Sequence, residues 1–138
     1  MANMTYDDVR KKLLLGTFGN LSGAAIYCSL HTSAYTPTIT HSVYANLTNE
    51  VVGAGYVAGG AACASITATE VSASGKAVLN CADLSWTSST ITARYAVFYI
   101  NSGSKYLLCC KDFTTDYTST NGTFTVDVSA TNGIIYLN

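Results

Sequence analysis

The sequence predicts an all-β fold, an antiparallel β-sandwich of Ig-like or jelly-roll type with seven to nine strands and a short N-terminal helix or arm. Three observations carry this. Of the 138 residues, 19 are Thr and 14 are Ser, and ten are Tyr, so β-favouring side chains dominate. Short apolar runs recur roughly every 8–12 residues with turn residues between them, the spacing of a sandwich or barrel. Charge is scarce, at 11% of residues with a net charge of −1, whereas an ordinary soluble domain carries about 25%.

The elements follow in chain order. Over residues 5–15 Thr5 is placed to cap a helix. Asp7 and Asp8 suit its positive end and Lys11 and Lys12 its negative end, while Tyr6, Val9, Leu13 and Leu14 recur at helical spacing. Gly16 and Gly19 punctuate it, giving an arm over residues 1–20 and a single β domain over 21–138. Residues 24–30 read as a strand, and Pro37 breaks any ladder in the polar stretch that follows. The glycines at 53, 55, 59 and 60 indicate turns or bulges. Residues 61–69 and 76–81 read as strands separated by a turn at 71–75. Residues 89–100 form the longest β-like run, with Ile91, Ala93, Tyr95, Val97 and Tyr99 on one face, followed by a hairpin turn at 101–104 and an antiparallel return strand over residues 105–113. Asn121-Gly122 and Asn132-Gly133 each mark a tight turn. In the return strand, Leu107 and Cys109 alternate with Leu108 and Cys110, so both faces are apolar and the outer one needs a cover, such as a neighbouring subunit.

Composition excludes several function classes. A net charge of −1 supplies no basic footprint for nucleic acid. No run of 18 apolar residues suggests a membrane helix, and the acidic start does not read as a secretory leader, so synthesis and retention in a cytosol are expected. Five cysteines, an odd number without regular spacing, read as buried small hydrophobes rather than a disulfide framework.

Chemistry-bearing patterns are sparse. The segment GAGYVAGG lacks the Gly-Lys-Ser/Thr ending of a phosphate loop. His31 and His41 lie near Cys28 in sequence but without metal-ligand spacing, so no metal or cofactor is expected. No G-x-S-x-G elbow occurs and Glu50 and Glu70 are the only glutamates, so no catalytic residues are expected; His31, His41 and an acid together in a pocket would reverse that. Arg94 is positioned to pair with Asp83 or Asp112, and Trp86 reads as core or an interface anchor.

Three stretches, YTPTITHSVYANLTNEVVGAGYVAGGA, ADLSWTSSTITARYAVFYI and STNGTFTVDVSATNGII, together resemble small structural proteins of tailed bacteriophages of the head-decoration or cement type. The resemblance implies a virion component on the capsid surface, assembled in the host cytoplasm. Its partners would be the major capsid protein and itself, as a dimer or trimer, with no nucleic acid and no membrane. Interface contacts are expected at Tyr6, Val9, Leu13 and Leu14 in the arm and at Tyr35 and Tyr56 in loops, so that Asp at positions 9 and 13 would abolish capsid binding yet leave the β fold. The alternative is a head fibre or tail receptor-binding module whose Tyr-, Ser- and Thr-rich loops contact host glycans.

Overall fold

Strand pairing begins with the first described residues of the computed structural model, which describes residues 2–71, 73–129 and 131–138. Strand β1 (Ala2–Thr5) leads into helix α1 (Asp7–Leu14), then β2 (Ile26–His31), β3 (Ala61–Ala62), β4 (Thr67–Val71), β5 (Lys76–Asn80), β6 (Leu84–Ile100), β7 (Leu107–Val126) and β8 (Ile135–Leu137). These eight strands form two antiparallel sheets, one ordered β1-β7-β6-β2-β3 and the other β4-β5-β8. The protein is an all-β sandwich with a short N-terminal helix.

The β6–β7 hairpin is the spine. Register places Cys28, Phe98 and Cys109 in one cross-strand row and Ser29, Val97 and Cys110 in the next, with Met4 of β1 extending the latter. Partners across antiparallel strands share a face, so these rows point to opposite sides of the sheet. On the Cys109 side, Lys111 reaches across to the Gly133 carbonyl, 2.6 Å away in the approach to β8. The Cys110 side lies beside Tyr6 and Tyr35. Leu107, Leu108, Cys109 and Cys110 are all buried. The two-faced apolar strand is thus covered within the chain, by the three-stranded sheet on one side and by Tyr6 with Tyr35 of the loop after β2 on the other. No neighbouring subunit is required for it.

The first 20 residues do not stand off as an arm. Pairing of β1 with β7 and burial of Tyr6 and Val9, the latter only 1% exposed, build them into the core. An eight-residue helix is marginal alone and persists because its inward stripe is buried. Its N-cap is Tyr6, without a side-chain cap, rather than Thr5, which belongs to β1. Asp7 and Asp8 occupy the first turn and Lys11 and Lys12 the last, as the dipole favours. Asp8 also pairs with Lys12 one turn on.

Two further expectations are corrected. Residues 61–69 contain two short strands in different sheets, so this is where the chain crosses between layers. Asn121-Gly122 is no hairpin turn but lies inside β7: Ser89 opposes Gly122 and Asn121 takes φ 48°, so the left-handed preference of Asn is spent on a bulge. Asn132-Gly133 does turn the chain, with Gly133 at φ 55°. The turn at 73–75 follows β4, Ser72 lying outside the described residues.

Candidate functional site

The polar residues that suggested chemistry converge beneath the surface. His31 is fully buried, its Nδ1 2.8 Å from the Thr48 carbonyl and its Nε2 2.9 Å from Ser29 Oγ. Nδ1 must donate to a carbonyl, so Nε2 accepts from the serine hydroxyl, which fixes the tautomer. Burial lowers the His31 pKa. Tyr35 stacks near His31 at 5.2 Å between ring centres, and its hydroxyl lies 3.1 Å from His41 Nδ1 and 3.3 Å from the Tyr6 hydroxyl. The Ser29–His31 pair has the bond of a nucleophile and its base, but both side chains are fully buried, so a substrate has no access to it in this conformation.

Glu50 organises a second cluster. Its carboxylate accepts from the Tyr44 hydroxyl, from the Tyr56 hydroxyl at 2.6 Å and from the Gly59 amide at 2.6 Å. Tyr56 also accepts from the Leu30 amide at 2.9 Å, and the Tyr99 hydroxyl donates to the Gly59 carbonyl at 2.7 Å. These bonds pin the glycine-rich loop onto the edge of β2, where Gly60 presses against Cys28: a Cβ there would lie 1.8 Å from the Cys28 carbonyl oxygen. The glycines serve close backbone approach.

Arg94 pairs with Asp112 through two bonds of 2.6 and 3.4 Å, and this guanidinium holds the Asp112 carboxyl below its ordinary value. Asp83 instead accepts from the Val128 amide at 2.8 Å. Burial pushes the Cys109 and Cys110 thiols up to about 12, and all five cysteines are free. Among the described residues no group of three or more His, Cys, Asp or Glu side chains is arranged to hold a metal ion. No described helix is long and apolar enough to cross a membrane.

Of the six residues expected at an interface, Tyr6, Val9 and Tyr35 are buried in the core and are not available as surface contacts in this conformation. Tyr56 is half-buried with its hydroxyl engaged on Glu50 and Leu30. Leu13 and Leu14 remain. Leu13 lines a groove of about 250 Å³ between α1 and the second sheet, walled also by Leu21, Val78, Leu79, Ile135 and Leu137. Leu14 is 90% exposed, with Leu15 exposed beside it. Sequence reasoning missed Leu15, Leu21, Ile135, Tyr136 and Leu137 at this surface. A three-residue strand such as β8 has too few alternations to show which face is covered.

Comparison of the chain with protein-family models, with curated proteins and with solved structures finds no match in any of the three.

Proposed function

We propose that this protein is a structural component of a tailed-phage virion, a decoration or cement protein that bridges major capsid subunits and stabilises the shell. The observation that carries the reading is the apolar groove between α1 and the second sheet, continued by the exposed Leu14, Leu15 and Leu137. On a chain with 15 charged residues, little opposes close packing of that surface against other protein. The resemblance of three sequence stretches to phage head proteins supplies the partner. The mechanism is geometric: each copy buries apolar and hydroxyl-rich surface across a joint between capsid subunits, raising the work needed to separate them. A symmetric dimer or trimer repeats the contact and gains avidity on a symmetric lattice. Assembly takes place in the host cytoplasm, and the finished protein resides on the capsid surface.

The test is stoichiometry in purified particles together with a surface variant. The reading expects a copy number comparable with that of the major capsid protein, and Leu14→Asp is expected to strip the protein from the shell while its circular dichroism is unchanged. A handful of copies per particle would place it in a fibre or tail receptor-binding role instead. Full occupancy by the Leu14→Asp protein would remove the groove from the mechanism. Val9→Asp is the wrong probe, since it places a carboxylate in the core.

A further inference from the structure

The longest strand carries an irregularity with its own chemistry. In the β6–β7 ladder Ala93 opposes Tyr117 and Tyr95 opposes Asp112, so the single residue Arg94 faces the four residues 113–116. Within this wide bulge Thr114 has φ 70°, a left-handed conformation that β-branched residues avoid. The Asp112 flank is clamped: Asp112 accepts from the Thr114 amide at 2.7 Å and is itself held by Arg94 at 2.6 Å. A bulge of this kind re-aims side chains, and here it separates Phe113 and Tyr117 from the regular alternation of the strand.

The result is a cleft of about 270 Å³ lined by Phe113, Thr114, Tyr117, Phe124, Thr125 and Asp127. Phe124 is buried and forms the floor, backed by Trp86 with ring centres 6.3 Å apart. Phe113 stands 6.2 Å from Phe124 at 56° and 5.8 Å from Tyr117 at 86°. Tyr117 is 55% exposed and forms the outer wall. Three rings at steep mutual angles enclose a corner, not the single flat platform on which a planar or pyranose ring stacks. The polar groups of the lining are the hydroxyls of Thr114, Thr125 and Tyr117 and one carboxylate, and Asp127 makes no ion pair among the described residues.

We propose that this cleft binds an organic cation of the quaternary or methylated ammonium class, with the aromatic rings enclosing the methyl groups and Asp127 balancing the charge. The chemistry selects this class. Aromatic faces attract cations, and methylated ammonium groups are weakly hydrated enough to enter an apolar corner. An anion meets a carboxylate and ring faces of the same sign, with no cationic side chain lining the cleft. A purely apolar ligand leaves the carboxylate without a partner. An inorganic cation finds one carboxylate and too few further ligands. The proposal stands apart from capsid docking, because the cleft shares no residue with the groove beside α1.

The experiment is titration of the full-length protein with choline and with 3,3-dimethylbutan-1-ol, its uncharged isostere, followed by calorimetry and by amide chemical shifts. Choline is expected to saturate the cleft and to bind about tenfold more tightly than the isostere. Tyr117→Ala is expected to lose choline. Asp127→Asn is expected to weaken choline while leaving the isostere unchanged. Both side chains lie at the surface, and an unchanged melting temperature confirms that each variant is folded. Phosphocholine and Nε-trimethyllysine then separate a headgroup from a methylated side chain as the source, and preference for either supports the class. Equal binding of choline and its isostere, undiminished choline binding by Tyr117→Ala, or saturation by a neutral sugar but not by choline would each overturn the proposal.

Discussion

His31 shows how one buried side chain ties stability to pH. Its ring sits between Ser29 and the Thr48 carbonyl, and burial depresses its pKa below the ordinary value of 6.5. The unfolded chain therefore takes up a proton before the folded one does. Stability is full above about pH 6.5 and is lost as the pH falls from there toward the depressed folded value, with a slope of at most about 1.4 kcal/mol per pH unit. Replacing His31 by Gln substitutes a side-chain amide that can still donate and accept hydrogen bonds, and removes the titration. The variant should lose about 1–2 kcal/mol at pH 7.5 from imperfect geometry, yet show a flatter decline between pH 6.5 and 5 in urea denaturation. Parallel declines for the two proteins would exclude His31 as the source. Asp112 acts lower on the scale: with its pKa depressed by Arg94, its contribution is present above the ordinary carboxylate range and lost only in stronger acid.

At the scale of elements, the glycine-rich loop and helix α1 hold the outer layer of the sandwich in place by different means. The loop is held by polar bonds to Glu50 and by a backbone contact that only glycine permits. Gly60→Ala should cost about 2–4 kcal/mol, since an added methyl collides with the Cys28 carbonyl and the backbone at φ 80° is itself unfavourable. Gly16→Ala, at φ 68° with nothing within 4 Å of the added carbon, should cost only about 1 kcal/mol. Equal costs in urea denaturation would mean that the close approach carries no energy. The helix was legible in its charges and spacing, and the spacing groups Tyr6, Val9, Leu13 and Leu14 as one apolar stripe, expected at an interface, without marking Tyr6 and Val9 as the inward part. What that stripe packs against was not legible, because the covering of the Cys110 face depends on Tyr6 and on Tyr35 of a loop from a distant part of the chain.

For the whole molecule, the sparse charge and the exposed apolar groove predict self-association. Sedimentation should show a concentration-dependent dimer or trimer that is not weakened by added salt, because burial of apolar surface is not screened while ion pairs are. Leu14→Asp should shift the equilibrium toward monomer. A monodisperse monomer at every concentration would count against the docking surface. A pairing of Arg94 with Asp83 or Asp112 and the two-faced apolar strand could be anticipated from the sequence, whereas the choice of Asp112 could not. The aromatic cleft could not, since strict alternation along β7 places Phe113 and Tyr117 in an unbroken ladder, and only the observed register reveals the bulge at 113–116.

The sequence by itself determined the fold class, the helix at the N-terminus and the hairpin of β6 and β7, because these rest on local propensity and on periodicities of 2 and 3.6 that read directly from neighbouring residues. Only the tertiary structure decided which apolar residues are core and which are surface. Tyr6, Val9 and Tyr35 look the same in sequence as Leu13 and Leu14, yet the former are enclosed and the latter line or flank an open groove. Burial is a property of what packs across from a side chain, and in this protein the covering residues lie tens of positions away. The same holds for the bulge that shapes the cleft, which exists in the register between two strands and in neither strand alone.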